Sequence, residues 1–356
     1  MSDKDKNGGA VQAEEKKAPH GLPNPADLES LRKRFSMTDL AHPAVATLFN
    51  YSIELLPREG QNEPYHKKTR LSVSQEVIPL DPINLVQMEV RLPPLPAVLG
   101  ELQEVANKPY ASSSNVAEVV AKDVSLTAWL LKLVNSPFFG FSVKVDTVTR
   151  AVTLLGIEQF KTLAMGSMIN SLMEKLPEGV IDVEEFWRHS IATALAAQAI
   201  WKALKKDDSE RLFVAGLLHD CGILALAYAA PKTFAALNQA MLNEAKPRYV
   251  LEQELLDFDH ARLGGMLLHR WNMPLPLVMS VLRHHQVDAP ERYLEAAVVH
   301  LADFIAFAIA GRREEELVPP LDPLVWNALG LSTANLNFIA DAVTEKLGDM
   351  CGMLRS

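Results

Sequence analysis

The sequence predicts an all-α protein, a multi-helix bundle preceded by a less regular N-terminal extension. Three observations predict it. From Leu92 onward apolar residues recur at helical spacing, as in Leu126, Trp129, Leu130, Leu133 and Val134, which fall at i, i+3, i+4, i+7 and i+8. Helix-start signals punctuate the chain. Asp182 with Glu185 resembles a capping box, Asp207, Asp208 and Ser209 offer N-caps, and Pro274 and Pro290 suit first helical turns. No convincing alternating strand pattern follows residue 92.

Element by element, residues 1–24 are rich in Lys, Glu, Gly, Ala and Pro. They hold too little apolar surface to offset ordering entropy, so a disordered tail is expected. They also lack an apolar h-region, so no signal peptide is expected. Residues 25–57 read as helical, with Leu28, Leu31 and Phe35 on one face. Residues 58–91 are mixed and contain proline, with a short extended piece expected at Leu71–Ile78. The role of 25–91 stays open between a packing segment and a dimerisation arm. The main domain runs over 92–310, and 311–356 forms a C-terminal helical segment with Leu336, Ile339, Val343 and Leu347 on one stripe.

Composition excludes some functions. The chain has 356 residues, 48% hydrophobic and 22% charged, with a net charge of -9. That acidic balance argues against nucleic acid as the main partner. Two cysteines, Cys221 and Cys351, imply no disulfide framework, and a cytoplasmic location is expected. The most apolar stretches, Phe213–Ala230 and Ala296–Ala310, are each interrupted by His and Asp. They read as buried core helices, so no membrane association is expected.

Seven of the ten histidines lie between residues 189 and 300: His189, His219, His260, His269, His284, His285 and His300. In FVAGLLHDCGILALAYAA the ionisable pair is His219 and Asp220, and in AAVVHLADFIAFAIA it is His300 and Asp303. A carboxylate on a helix apolar all round is buried, and a buried carboxylate needs a hydrogen bond, a charge partner or a metal. Gly216, Gly222 and Gly264 sit mid-helix beside these groups, each costing about 1 kcal/mol relative to alanine. Close helix–helix approach would explain that cost. His189, His219–Asp220 and Asp303 fall on three helices, and a bundle can point such side chains into one site. Imidazole and carboxylate donors suit Fe, Mn, Zn or Ni better than Ca. A hydrogen-bonded His–Asp core without an ion satisfies the same pattern. His300, three residues before Asp303, suits an outer-shell role or core hydrogen bonding. His269 reads as a surface or packing residue, and Cys221 as a small buried apolar one.

The pattern His189…His219-Asp220…Asp303 resembles the H…HD…D signature of the HD superfamily of metal-dependent phosphohydrolases. His260 and the His284–His285 pair resemble the additional ligands of its HD-GYP branch. The runs LPPLPAVLGELQEVAN (92–107), VAEVVAKDVSLTAWLLKLVNSPFFG (116–140), AVTLLGIEQFKTLA (151–164), GLLHDCGILAL (216–226) and HARLGGMLLHRWNMPLPLVMSVLRHHQ (260–286) together resemble an HDOD domain, the HD-related output domain of bacterial signalling proteins. The resemblance implies a non-enzymatic module that binds a signalling partner protein, with one or two metal ions or a nucleotide in a His/Asp pocket. His189, His219, Asp220 and Asp303 would hold one ion, and His260, His284 and His285 a second. The alternative it implies is a metal-dependent phosphohydrolase of nucleotides or cyclic dinucleotides. Two departures weigh against that alternative: Ile223 stands where HD-GYP enzymes carry lysine, and QVDAPERY follows His285 in place of their substrate loop.

Overall fold

The computed structural model describes residues 23–57, 80–87, 96–136, 139–173, 175–177, 179–310 and 317–355. The expected extended piece at Leu71–Ile78 and nearly all of the expected disordered tail lie outside them. The described residues form helices and no strand. The N-terminal section contributes α1 (Pro25–Arg34), α2 (Pro43–Leu55) and α3 (Pro82–Gln87). A layer of short helices follows: α4 (Ala97–Ala106), α5 (Ser113–Val120), α6 (Val124–Val134), α7 (Val148–Leu155), α8 (Ile157–Gly166) and α9 (Met168–Met173). The centre comprises α10 (Val183–Ala203), α11 (Ser209–Leu218), α12 (Cys221–Ala229), α13 (Pro231–Asn243), α14 (Arg248–Leu256), α15 (His260–Arg270), α16 (Leu275–Arg283) and α17 (Leu294–Ala310). The chain ends with α18 (Pro323–Leu329) and α19 (Thr333–Arg355).

Helix α10 is the axis of the molecule. Asp182 starts it by accepting the Glu185 backbone N–H at 3.2 Å. It is apolar on nearly every side because α11, α17 and α19 surround it. Helix α17 is likewise buried along almost its whole length and packs on α2, α10, α16 and α18. The C-terminal α19 closes the bundle against α2 and α10. The N-terminal helices therefore join the same core as the main domain, with Leu31, Phe35 and Leu48 buried in it.

Two expectations about helix continuity need correction. The helix read through LLHDCG is interrupted at the motif: α11 ends at Leu218, Asp220 has φ -94 and ψ 11, and α12 begins at Cys221. The cause is local. His219 Nδ1 donates to the Gly216 carbonyl at 2.7 Å and so takes the acceptor that would continue the α-helical ladder. Pro290 does not open the last core helix, which starts at Leu294 after a turn through Arg292 and Tyr293.

The stretch Ser209–Ala229 is long and apolar enough to cross a membrane by length and composition alone. Within the protein it is 89% buried, as expected of a core helix pair.

Gly216 and Gly222 show the close approach that their placement suggested. A Cβ at Gly216 would lie 2.7 Å from Ala194 Cα of α10. A Cβ at Gly222 would lie 1.9 Å from the His260 carbonyl oxygen. These two contacts bring α10 and α15 against the His219–Asp220 corner.

Candidate metal centre

Five pieces of backbone deliver one cluster. Helix α10 carries His189, and the α11–α12 corner carries His219 and Asp220. His260 is the first residue of α15, His284 and His285 follow the end of α16, and Asp303 lies in α17. His219 and His284 are fully buried, and Asp220, His260 and Asp303 nearly so. His189 and His285 are half-buried and face the opening. His189 Nε2 lies 2.9 Å from Asp303 Oδ1, 3.2 Å from His219 Nε2 and 3.6 Å from Asp220 Oδ2. His219 Nε2 lies 3.3 Å from Asp220 Oδ2 and 3.4 Å from Asp303 Oδ1. On the other side of Asp220, Oδ1 lies 3.1 Å from His260 Nε2 and 3.9 Å from His284 Nε2. His260 Nε2 and His285 Nε2 are 2.8 Å apart.

The ring tautomers follow from what the outer nitrogens touch. His219 Nδ1 donates to the Gly216 carbonyl, and His284 Nδ1 donates to the Val281 carbonyl, both at 2.7 Å. A carbonyl only accepts, so both Nδ1 atoms carry hydrogen. His260 Nδ1 donates to Glu252 Oε2 at 2.6 Å, and the same oxygen accepts the His260 backbone N–H at 2.8 Å. Three imidazoles thus turn Nε2 inward with Nδ1–H occupied from behind, the arrangement that orients metal-ligating histidines.

Electrostatics sort the histidines into two kinds. Burial alone pushes the His219 imidazolium down, but Asp220 and Asp303 outweigh it and raise the group to about 10. Burial opposes charge on His260 as well, and Glu252 and Asp220 raise it well above its ordinary value. His284, by contrast, is lowered to about 4 by burial and by the neighbouring His219 and His260. His285 is held well below its ordinary range by burial, with His284 and His260 adding to it. Asp220 and Asp303 are buried, which raises a carboxyl, yet their histidines hold both well below the carboxylate range.

The residues present fit a bound cation. His284 Nε2 and Asp303 Oδ1 are among the buried side-chain atoms left without a well-formed hydrogen bond, although His189 Nε2 stands 2.9 Å from the latter. An unpartnered buried lone pair costs about 1–3 kcal/mol, and a cation would satisfy both. Three overlapping sets of three donors lie close enough to share an ion: His189, His219 and Asp220; His219, His284 and Asp303; His260, His284 and His285. The spacing suits nitrogen and oxygen donors at about 2.0–2.2 Å from a common ion.

All seven residues read from the sequence as candidate ligands are brought together, and His269 stands apart on the surface. His300 lies one layer out. Its Nδ1 donates to the His284 carbonyl at 2.7 Å, and its Nε2 accepts the Asp322 N–H at 3.2 Å. It braces the backbone of His284. Glu252 is the residue that the sequence did not reveal. It is 1% exposed and fixes His260 by two hydrogen bonds. Nothing in RYVLEQELL separates it from Glu254, which is exposed and pairs with Lys246. Replacing Glu252 with glutamine is expected to weaken metal binding about tenfold, the lower end for loss of such an outer-shell carboxylate. Competitive chelator titration measures it, and an unchanged affinity would show that His260 needs no such brace.

A cavity of about 130 Å³ opens onto the cluster at His189, Asp220, His260 and His285. Phe186, Phe234, Met241, Phe307 and Leu317 give it apolar walls. Lys246 and Arg248 stand on one side, and Tyr249 stacks on His285 with ring centroids 4.3 Å apart.

An all-helical core that buries a His/Asp cluster of this kind defines an HD-superfamily protein. The family model for the HDOD domain matches residues 92–287, more than half of the chain, and the protein belongs to the HDOD family. An uncharacterised protein of Treponema pallidum is 28% identical over 207 residues, and the match covers 57% of this chain but only 39% of that relative's length. Two solved structures share the fold. One, from Shewanella amazonensis SB2B and provisionally named a metal-dependent phosphohydrolase, has a TM-score of 0.56 and 25% identity, covering 76% of this chain and 95% of that one. The other, from Marinobacter aquaeolei VT8 and provisionally named a signal transduction protein, has a TM-score of 0.57 and 21% identity, covering 92% of this chain and 69% of that one.

Proposed function

We propose that the protein is a non-enzymatic cytoplasmic signalling module. A divalent transition metal, held by the His/Asp cluster, sets the conformation that a partner protein recognises. One observation carries the metal: inward Nε2 atoms and two buried carboxylates converge, with His284 Nε2 left without a hydrogen bond. His189, His219, Asp220 and Asp303 would hold the first ion, and His260, His284 and His285 a second. The donor set favours Fe, Mn, Zn or Ni. When bound, the cation neutralises the two carboxylates and supplies Lewis acidity at the cavity floor. The chain's own residues orient the ligands: Glu252 behind His260, His300 behind His284, and the Gly216 carbonyl behind His219.

The cavity wall disfavours catalysis. Ile223 lines it at the position where related phosphodiesterases carry lysine, and an apolar side chain there offers no charge to a substrate. The second reading, a phosphohydrolase of nucleotides or cyclic dinucleotides, is favoured by Lys246 and Arg248 beside the cluster and by the name of the Shewanella relative. A nucleotide held there without turnover would suit the signalling reading equally.

Elemental analysis of protein purified without chelator tests the proposal. A stoichiometric transition metal is expected in the native protein and its loss in Asp220→Ala. Metal-free native protein would leave a purely structural His/Asp cluster. Incubation with nucleotides and cyclic dinucleotides in Mn or Fe is expected to give no turnover. Metal-dependent hydrolysis abolished in His219→Ala would replace the non-enzymatic reading with the second one.

A further inference from the structure

Three other elements donate to carbonyls in the last described turn of α17, beside the cavity. Arg34 Nη2, at the end of α1, donates to the Phe307 carbonyl. Ser52 Oγ of α2 lies 2.8 Å from the Ala308 carbonyl and 2.8 Å from the Leu48 carbonyl of its own helix, so its single hydrogen is shared between them. Arg188 Nε of α10 donates to the Ala310 carbonyl at 3.0 Å. A cation at this end also opposes the negative pole of the helix.

Arg34 differs from the other two because it grips the cavity wall twice. Its side chain holds the backbone of Phe307, and its own carbonyl accepts the Val318 N–H at 2.8 Å. Phe307, Leu317 and Pro319 all line the cavity. The Phe307 ring packs on the His189 imidazole with centroids 4.5 Å apart. Asp303, one turn earlier on α17, faces His189 from the same helix. Arg34 is only 7% exposed, and the adjoining Phe35 locks α1 to α2 through an edge contact with Phe49 at 5.1 Å. Helix α2 in turn packs along α17 and α19.

We infer that residues 25–56 are a control arm for the His/Asp cavity and that Arg34 is the positioning residue coupling the two. Displacing the arm releases the Phe307 carbonyl and the Leu317–Pro319 strap together. That removes the support behind the Phe307 ring and lets His189 move relative to Asp303. A partner protein that engages the N-terminal helices would therefore alter the cluster without touching it. The inference rests on the metal reading for one of its two readouts and stands apart from it for the other.

The first readout is cobalt(II) binding by the full-length protein, followed by its visible absorption. Arg34→Ala is expected to weaken cobalt binding about tenfold and to change the spectrum of the site. Arg34→Lys, which keeps a cationic donor for the Phe307 carbonyl, restores most of both. Ser52→Ala removes a bond at the same helix end away from the cavity, and its cobalt binding should match the native protein even where its thermal stability falls. Native affinity and spectrum in Arg34→Ala would overturn the inference, as would an equal loss in Ser52→Ala. Should Arg34→Ala not fold, Arg34→Gln is held to the same outcomes. If the native protein takes up no cobalt, the metal reading fails and hydrogen–deuterium exchange decides the coupling. Arg34→Ala must then lose protection at both 303–310 and 185–190, and loss confined to 303–310 would overturn it.

Discussion

Replacing Gly222 with alanine is expected to be the most damaging single-methyl change in the molecule. The added Cβ would sit 1.9 Å from the His260 carbonyl oxygen and 2.8 Å from the Gly264 nitrogen. Both are backbone atoms, so no side-chain rotation relieves the clash. Helices α12 and α15 must separate, and His260 leaves Asp220 as they do. Overpacking usually costs about 1–3 kcal/mol, and a clash with fixed backbone belongs at or above the top of that range. The expected result is a loss of about 3 kcal/mol or more in denaturant unfolding, with bound metal lost in whatever protein still folds. The other glycines provide a scale. At Gly216 the added atom would meet the α10 backbone at 2.7 Å, so a large effect is expected there too. At Gly264 it would meet Cys221 Sγ and the Gly222 backbone nitrogen at 3.1 Å and Val281 Cγ1 at 3.2 Å, distances at which a shift of a few tenths of an ångström suffices. Chemical denaturation of the three variants should rank them Gly222, Gly216, Gly264 in order of decreasing damage. A Gly222→Ala protein with native stability and native metal content would show that α12 and α15 do not approach as described.

How far the site could be read from the sequence depended on the kind of constraint acting on each residue. Asp220 and Asp303 were legible because a carboxylate in an apolar helix has few physical outcomes. The glycines were legible for a related reason, since a costly residue mid-helix calls for a close neighbour. Glu252 was not, because its sequence is an ordinary amphipathic helix and only the docking of α14 on α15 buries it. The break at His219 was hidden because local propensity favours an uninterrupted helix, and a side-chain bond to Gly216 overrides it. The arm was half legible. Leu28, Leu31 and Phe35 announced an apolar face, but nothing in them named α17 and α19 as the surfaces that the N-terminal helices cover.

Metal uptake should release protons, and the number can be anticipated residue by residue. His219, raised to about 10, carries a proton on Nε2 in the metal-free protein at neutral pH. His260, also raised, carries one too. His284, lowered to about 4, and His285, held well below its ordinary range, do not. Asp220 and Asp303 are already ionised. His219 therefore gives up one proton when its set fills, and His260 gives up one when the other set fills. Affinity at each set should fall about tenfold per pH unit between about pH 8 and pH 6, because a displaced proton competes with the ion. Calorimetric titration in buffers of differing ionisation enthalpy counts the protons directly, and His219→Ala should reduce the count by one. The stability of the metal-free protein runs the opposite way. A histidine raised in the fold stabilises fully below its unfolded value of 6.5, and its contribution fades toward 10. The lowered aspartates stabilise above their unfolded value of 3.8 and lose that contribution on acidification. Rising pH thus weakens the apo cluster while it strengthens metal binding. Chelation should lower the melting temperature by more at about pH 8 than at about pH 6, with the larger drop on the order of 10 °C if metal exceeds its dissociation constant about a thousandfold. Equal drops at the two pH values, with no protons released, would mean that the ion binds without displacing His219 or His260 protons, and the cluster would not be its site.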